Sequence, residues 1–84
     1  MKAVAYSKDA IKALRRMPAN VFKTIAGKIR QLAENPADLA NNIKALKGEA
    51  GVFRLRVGDW RALYSEDDDT LVIIDIAPRG SAYE

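Results

Sequence analysis

The sequence predicts an α+β fold: an N-terminal strand, an α-helical hairpin, then a three-stranded antiparallel meander, with both helices packed on one face of a small sheet. Three features lead there. Apolar residues recur at three- and four-residue steps, as Ile11, Leu14 and Met17 and then as Phe22, Ile25, Ile29, Leu32 and Ala33, which is the period of two amphipathic helices. From Val52 to Tyr64 apolar and basic residues alternate on either side of Gly58-Asp59, the pattern of a β-hairpin. A strongly apolar run, Leu71 to Ala77, then supplies a further strand placed centrally in the sheet. With 84 residues the chain has room for one two-layer core, so residues 1–84 are expected to form a single domain.

The elements follow in order. Lys2 to Tyr6 reads as a short first strand at a sheet edge. Ser7 is the expected cap of the first helix, whose polar side carries Lys12, Arg15 and Arg16. Pro18 breaks that helix, and Asn20 is a candidate cap for the second. Asn35-Pro36 ends the second helix. The stretch from Pro36 to Ala50 reads as loop, with Ile43 and Leu46 covering the core edge and Lys44 and Lys47 facing out. Glu66 to Thr70 is a turn before the last strand, and Pro78 stops that strand.

The hairpin fixes the faces of the sheet. A two-residue turn at Gly58-Asp59 sets Val57 opposite Trp60, Arg56 opposite Arg61, Leu55 opposite Ala62 and Phe53 opposite Tyr64. Side chains alternate along a strand, so Phe53, Leu55, Val57, Trp60, Ala62 and Tyr64 share one face and Arg54, Arg56 and Arg61 share the other. Like charges directly opposite one another destabilise a sheet by about 0.2–1 kcal/mol per pair. Planar guanidinium forks gathered this way suit a phosphate-bearing polyanion; the competing explanation is a solvated face whose arginines reach separate carboxylates. Asp75 has two possible positions. A four-residue loop at Glu66–Asp69 sends it to the core side, whereas a one-residue bulge sends it to the arginine face. The second is favoured, because an unpaired buried carboxylate is costly.

Composition narrows the chemistry. The formal net charge is +3, with the acids concentrated at Glu66-Asp67-Asp68-Asp69, a layout suited to a nucleic acid or an acidic protein. Histidine is absent, which removes the commonest general base at neutral pH and the usual zinc ligand. Cysteine is absent too, so there is no disulfide or thiolate chemistry. No apolar run reaches the length of a membrane span and no signal peptide is visible, so no membrane partner and a cytoplasmic location are expected. No cofactor is expected.

The segment L-K-G-E-A-G-V-F-R-L-R-V-G-D-W-R-A-L-Y, followed by an apolar strand and A-P-R-G-S-A-Y, resembles the RelE/ParE superfamily of toxin–antitoxin toxins over nearly the whole chain. The resemblance points more to the RelE branch, which implies a ribosome-dependent, metal-independent endoribonuclease that cuts mRNA in the ribosomal A site. The ParE branch shares the fold but poisons DNA gyrase. Matched residue by residue, the family's catalytic roles fall on Arg54, Arg56, Arg61, Arg79 and Tyr83. Arg54 and Arg56 stand where some relatives carry lysine. Lys44, Lys47, Arg15 and Arg16 are candidate RNA contacts, the last two equally readable as a solvated helix face. The implied partners are mRNA on the ribosome and a cognate acidic antitoxin with a DNA-binding N-terminus, held in a hetero-oligomer.

Overall fold

The computed structural model describes residues 1–80. Strand β1 (Ala3–Tyr6) precedes helices α1 (Lys8–Arg15) and α2 (Ala19–Glu34). A 3-10 helix at Pro36–Asn42 leads into a short strand β2 (Ile43–Ala45), followed by β3 (Val52–Val57), β4 (Trp60–Glu66) and β5 (Thr70–Pro78). Among the described residues the strands form one sheet in the order β1-β5-β4-β3-β2. β1 runs parallel to β5, and the other neighbours are antiparallel.

Local chemistry explains most of the element boundaries. The Ser7 Oγ accepts from the Ala10 N–H at 3.1 Å and caps α1, while Asp9 in the first turn and Lys12 and Arg15 in the last complement the helix dipole. Asn20 does not cap α2. That helix begins at Ala19, directly after Pro18, whose ring presets φ at −56° and has no N–H in need of a partner. At the other end the Asn35 N–H bonds back to the Gln31 carbonyl at 2.7 Å before Pro36 forbids continuation.

Both helices cover one face of the sheet. Ala10 and Leu14 of α1 and Ile25, Ile29, Leu32 and Ala33 of α2 join Leu55, Val57, Ala62, Tyr64, Leu71, Ile73 and Ile76 in one core cluster. Phe22, expected in the α2 stripe, is 43 % exposed, because the helix turns Val21 rather than Phe22 toward the sheet. Phe53 and Tyr64 stack across the hairpin with centroids 5.5 Å apart, as the alternation predicts.

The region expected as loop between Pro36 and Ala50 contains β2. It pairs Ile43 with Leu55, Lys44 with Arg54 and Ala45 with Phe53, and so adds an outer strand to the predicted meander. Three residues are too few to display a period, and the pairing is supplied by β3 rather than by local propensity. β5 is flanked on both sides, as its apolar content predicts, but the middle position belongs to β4.

β5 carries the bulge. Leu63 faces Asp75 while Tyr64 faces Ile73, leaving Ile74 as the extra residue. The shift turns Asp75 to the arginine face and Ile76 to the core. The Ser7 Oγ–H donates to the Ile74 carbonyl, so one hydroxyl both caps α1 and serves the backbone at the bulge. In the β4–β5 turn Asp67 Oδ1 accepts from the Asp69 and Thr70 N–H groups at 3.0 and 2.7 Å, and the Thr70 bond contributes most to holding this carboxyl below its ordinary 3.8.

Ser7→Ala removes the cap and the bond to the bulge together and is expected to cost about 1–2 kcal/mol in a denaturation experiment. Asp67→Ala is expected to lower Tm at neutral pH. A depressed carboxyl stabilises the fold above its unfolded value and ceases to do so as the pH falls through the folded one, so the gap to the unaltered chain should narrow as the pH falls below 3.8.

Candidate functional site

The face of the sheet not covered by helices holds the site. The register sets Arg54 between Lys44 and Leu63, and Arg56 directly opposite Arg61. The turn between them has Gly58 at φ 57°, while Asp59 keeps a negative φ. That is the type II′ pattern, whose twist suits a two-residue hairpin and which favours glycine first. Beyond β5, the Arg79 N–H donates to the Asp59 carbonyl at 2.6 Å, which ties the chain after the last strand to the hairpin turn.

These constraints converge on one cleft of about 670 Å³. Arg54, Arg56, Arg61 and Arg79 line it, together with Asn42 and the Gly58-Asp59 turn. The four arginines predicted from the sequence are therefore brought together, with Asp59 the carboxylate among the described residues that line the cleft. Ion pairs between described residues lie elsewhere, at Lys2–Glu66 (3.0 Å) and Arg30–Glu34 (3.2 Å). No carboxylate among the described residues pairs with Arg54, Arg56 or Arg79. No group of three metal-ligating side chains assembles among them either, and the donor set of the cleft suits an anion.

The four arginines differ in exposure. Arg56 and Arg79 are exposed. Arg54 is half-buried, and its Nε is enclosed without a partner among the described residues. Arg61 is only 6 % exposed, and its Nη1 donates to the Gly58 and Trp60 carbonyls at 2.9 and 3.0 Å. It forms the floor of the cleft and clasps the turn.

The remaining candidates separate. Lys44 is exposed on the cleft face, one strand out from Arg54. Lys47 is exposed in the β2–β3 connection and does not line the cleft. Arg15 and Arg16 sit at the end of α1 in the helical layer; Arg16 borders an apolar hollow with Met17, Pro18 and Trp60. Tyr83 lies outside the described residues. Tyr64 is no substitute as a base: burial, aided by Glu66, pushes its phenol up to about 12, on the helix-covered side of the sheet. Asn42 and Asp59 are cleft residues that sequence reasoning passed over. Asn42 was visible only as part of an Asn-Asn pair in an apparent loop, and the β2 pairing that aims it is not a local property.

The chain belongs to the family described as ParE toxin of type II toxin–antitoxin systems, whose model matches residues 4–83. Putative toxin RelE1 of Methanocaldococcus jannaschii is 33 % identical over 84 residues, covering 96 % of this chain and 93 % of that protein. Toxin RelE3 of the same organism is 29 % identical over 83 residues, covering 96 % and 94 %. The crystal structure of the archaeal RelE–RelB complex from Pyrococcus horikoshii contains a chain that superposes with a TM-score of 0.79 at 27 % identity, covering 96 % of this chain and 98 % of that one. No helix among the described residues is long and apolar enough to cross a membrane.

The arginine exposures separate a side chain that braces the fold from those that lie in solvent. Arg61→Ala leaves two turn carbonyls without their donor and is expected to cost about 1–3 kcal/mol of stability. Arg56→Ala removes an exposed charge facing another guanidinium and should leave stability within about 0.5 kcal/mol or raise it slightly. Urea titration of both variants checks the contrast.

Proposed function

We propose that this toxin-family protein is a ribosome-dependent, metal-independent endoribonuclease that stops translation by cutting mRNA. The observation that carries the reading is the cleft of four arginines in which Arg54, Arg56 and Arg79 have no carboxylate partner among the described residues. RNA brings its own nucleophile, the 2′-hydroxyl. In the proposed step the 2′-oxygen bonds to phosphorus and gives up its proton. The bond from phosphorus to the 5′-oxygen breaks, and the leaving oxygen takes up a proton. Negative charge accumulates on the phosphorane oxygens, where donors held in advance do the most.

Arg56 and Arg79, being exposed, are the groups proposed to grip the scissile phosphate. Arg54 neutralises it from the side. Arg61, rather than clamping the phosphate itself, sets the shape of the turn and adds its field from below. Tyr83, four residues past Arg79, is proposed either to take the 2′ proton or to stack on a base. An ordinary tyrosine titrates near 10, so the first role needs the arginine field to favour its phenolate. Without histidine this is a slow catalyst, and bending the message into line falls to the ribosome. Lys44 extends the cationic field along the bound strand, as does Lys47 more loosely; Arg15 and Arg16 are assigned to outer RNA contacts on the helical layer.

The proposed protein partner is an antitoxin. RelE chains of Pyrococcus horikoshii and Methanococcus jannaschii have been solved with RelB. A segment whose carboxylates cover the arginine cleft matches it in charge and masks it. Such a pair would work in the cytoplasm, and residues 1–84 are proposed to act as one domain.

The match to a ParE family model favours a second reading, a gyrase poison that cuts no RNA. The two separate cleanly. Under the nuclease reading, Arg56→Ala and Arg79→Ala each lower the rate of mRNA cleavage on translating ribosomes by about 10²-fold or more, with folding intact by circular dichroism. Under the gyrase reading both variants stay toxic, no new mRNA ends appear, and supercoiling by purified gyrase is inhibited.

A further inference from the structure

An arginine cleft grips phosphates but does not by itself choose among the bases that carry them. Asn42 differs in kind from the arginines around it. It closes the 3-10 helix at Pro36–Asn42, one residue before β2, and is half-buried against the cleft wall. Its Nδ2 donates to the Arg56 carbonyl at 3.2 Å, which continues the β2–β3 ladder by one more bond. That bond fixes which end of the amide points at the backbone. It leaves Oδ1 and the second Nδ2 hydrogen without partners among the described residues. Arginine forks present donors only, and paired donors match O6 and N7 of guanine. An amide anchored through one N–H presents an acceptor beside a donor, which matches N6 and N7 of adenine and not the two acceptors of guanine.

Building on the nuclease reading above, we propose that Asn42 is a specificity-determining residue: it reads the N6/N7 edge of an adenine next to the phosphate held in the cleft and disfavours guanine at that position. Oδ1 accepts from the exocyclic amine, and the free Nδ2 hydrogen goes to N7. Single-stranded RNA can offer that edge, since an unstacked base turns its Hoogsteen side outward. The Arg56 carbonyl holds the amide beside an exposed phosphate-gripping residue, so the base that is read adjoins the bond that is cut.

The test uses the full chain, programmed ribosomes and paired messages that differ only by adenine or guanine at each position flanking the cut. The unaltered chain is expected to cut the adenine message about tenfold faster or more at one position. Asn42→Ala should bring the two within about threefold of each other. Asn42→Arg, whose fork suits guanine, should invert the order; a residue that merely braced the cleft would not change the sign of the preference. Thermal denaturation of both variants establishes that they fold. A chain that cuts both messages equally overturns the proposal and leaves the nuclease reading standing, as does an adenine preference that survives Asn42→Ala. If the unaltered chain cuts neither message, the nuclease reading falls and this proposal with it.

Discussion

Arg56 and Arg61 face each other across β3 and β4, and the hairpin accepts the repulsion because its other face leaves no choice. Sliding one strand by a single residue would separate the guanidiniums, but it would also turn that strand's apolar side chains, Leu55 and Val57 of β3 or Ala62 and Tyr64 of β4, out of the core. Each large apolar side chain kept inside contributes about 1.5–3 kcal/mol. The opposed charges cost about 0.2–1 kcal/mol. The apolar face therefore wins several times over and dictates where the charges stand. The fold then softens the conflict: Arg61 bends down to the carbonyls of the turn while Arg56 stays in solvent.

The cleft is assembled from three separated parts of the chain by backbone pairing. The hairpin gives Arg54, Arg56, Asp59 and Arg61. β2 adds Asn42 from one edge, and the chain leaving β5 adds Arg79, fastened to Asp59 by a backbone bond. Each of these attachments ends on a main-chain carbonyl. The side-chain groups thus remain available to a ligand, apart from Arg61 and one hydrogen of Asn42. This is how a small sheet without a covered second face can hold a preorganised cluster of cationic side chains.

Much of this arrangement was legible because it rests on short-range rules. The Gly58-Asp59 turn sets register within two residues, so the pairings from Val57–Trp60 to Phe53–Tyr64 and the shared face of the arginines followed directly. The side of Asp75 was legible for an energetic reason: a bulge was cheaper than a buried lone carboxylate. Other features depend on partners distant in sequence. β2 exists because β3 offers an edge, so Asn42 could not be recognised as a cleft residue. The outward turn of Phe22 follows from how α2 rolls against the sheet, which its three- and four-residue spacing leaves open by one position. The depth of Arg61 was hidden because an arginine in an alternating strand reads as solvent-facing, and only the carbonyls of a particular turn hold it down.

The parallel seam between β1 and β5 joins residues 3–6 to residues 70–73. The opening strand therefore has no neighbour in the described sheet until residues 70–73 are present, and Ser7 has no bulge to meet until Ile74 is. The arginine hairpin closes through contacts within a few residues, whereas the β1–β5 seam is the longest-range pairing in the described sheet. Long-range parallel pairing is slow to form, so completion of the sheet waits on that edge.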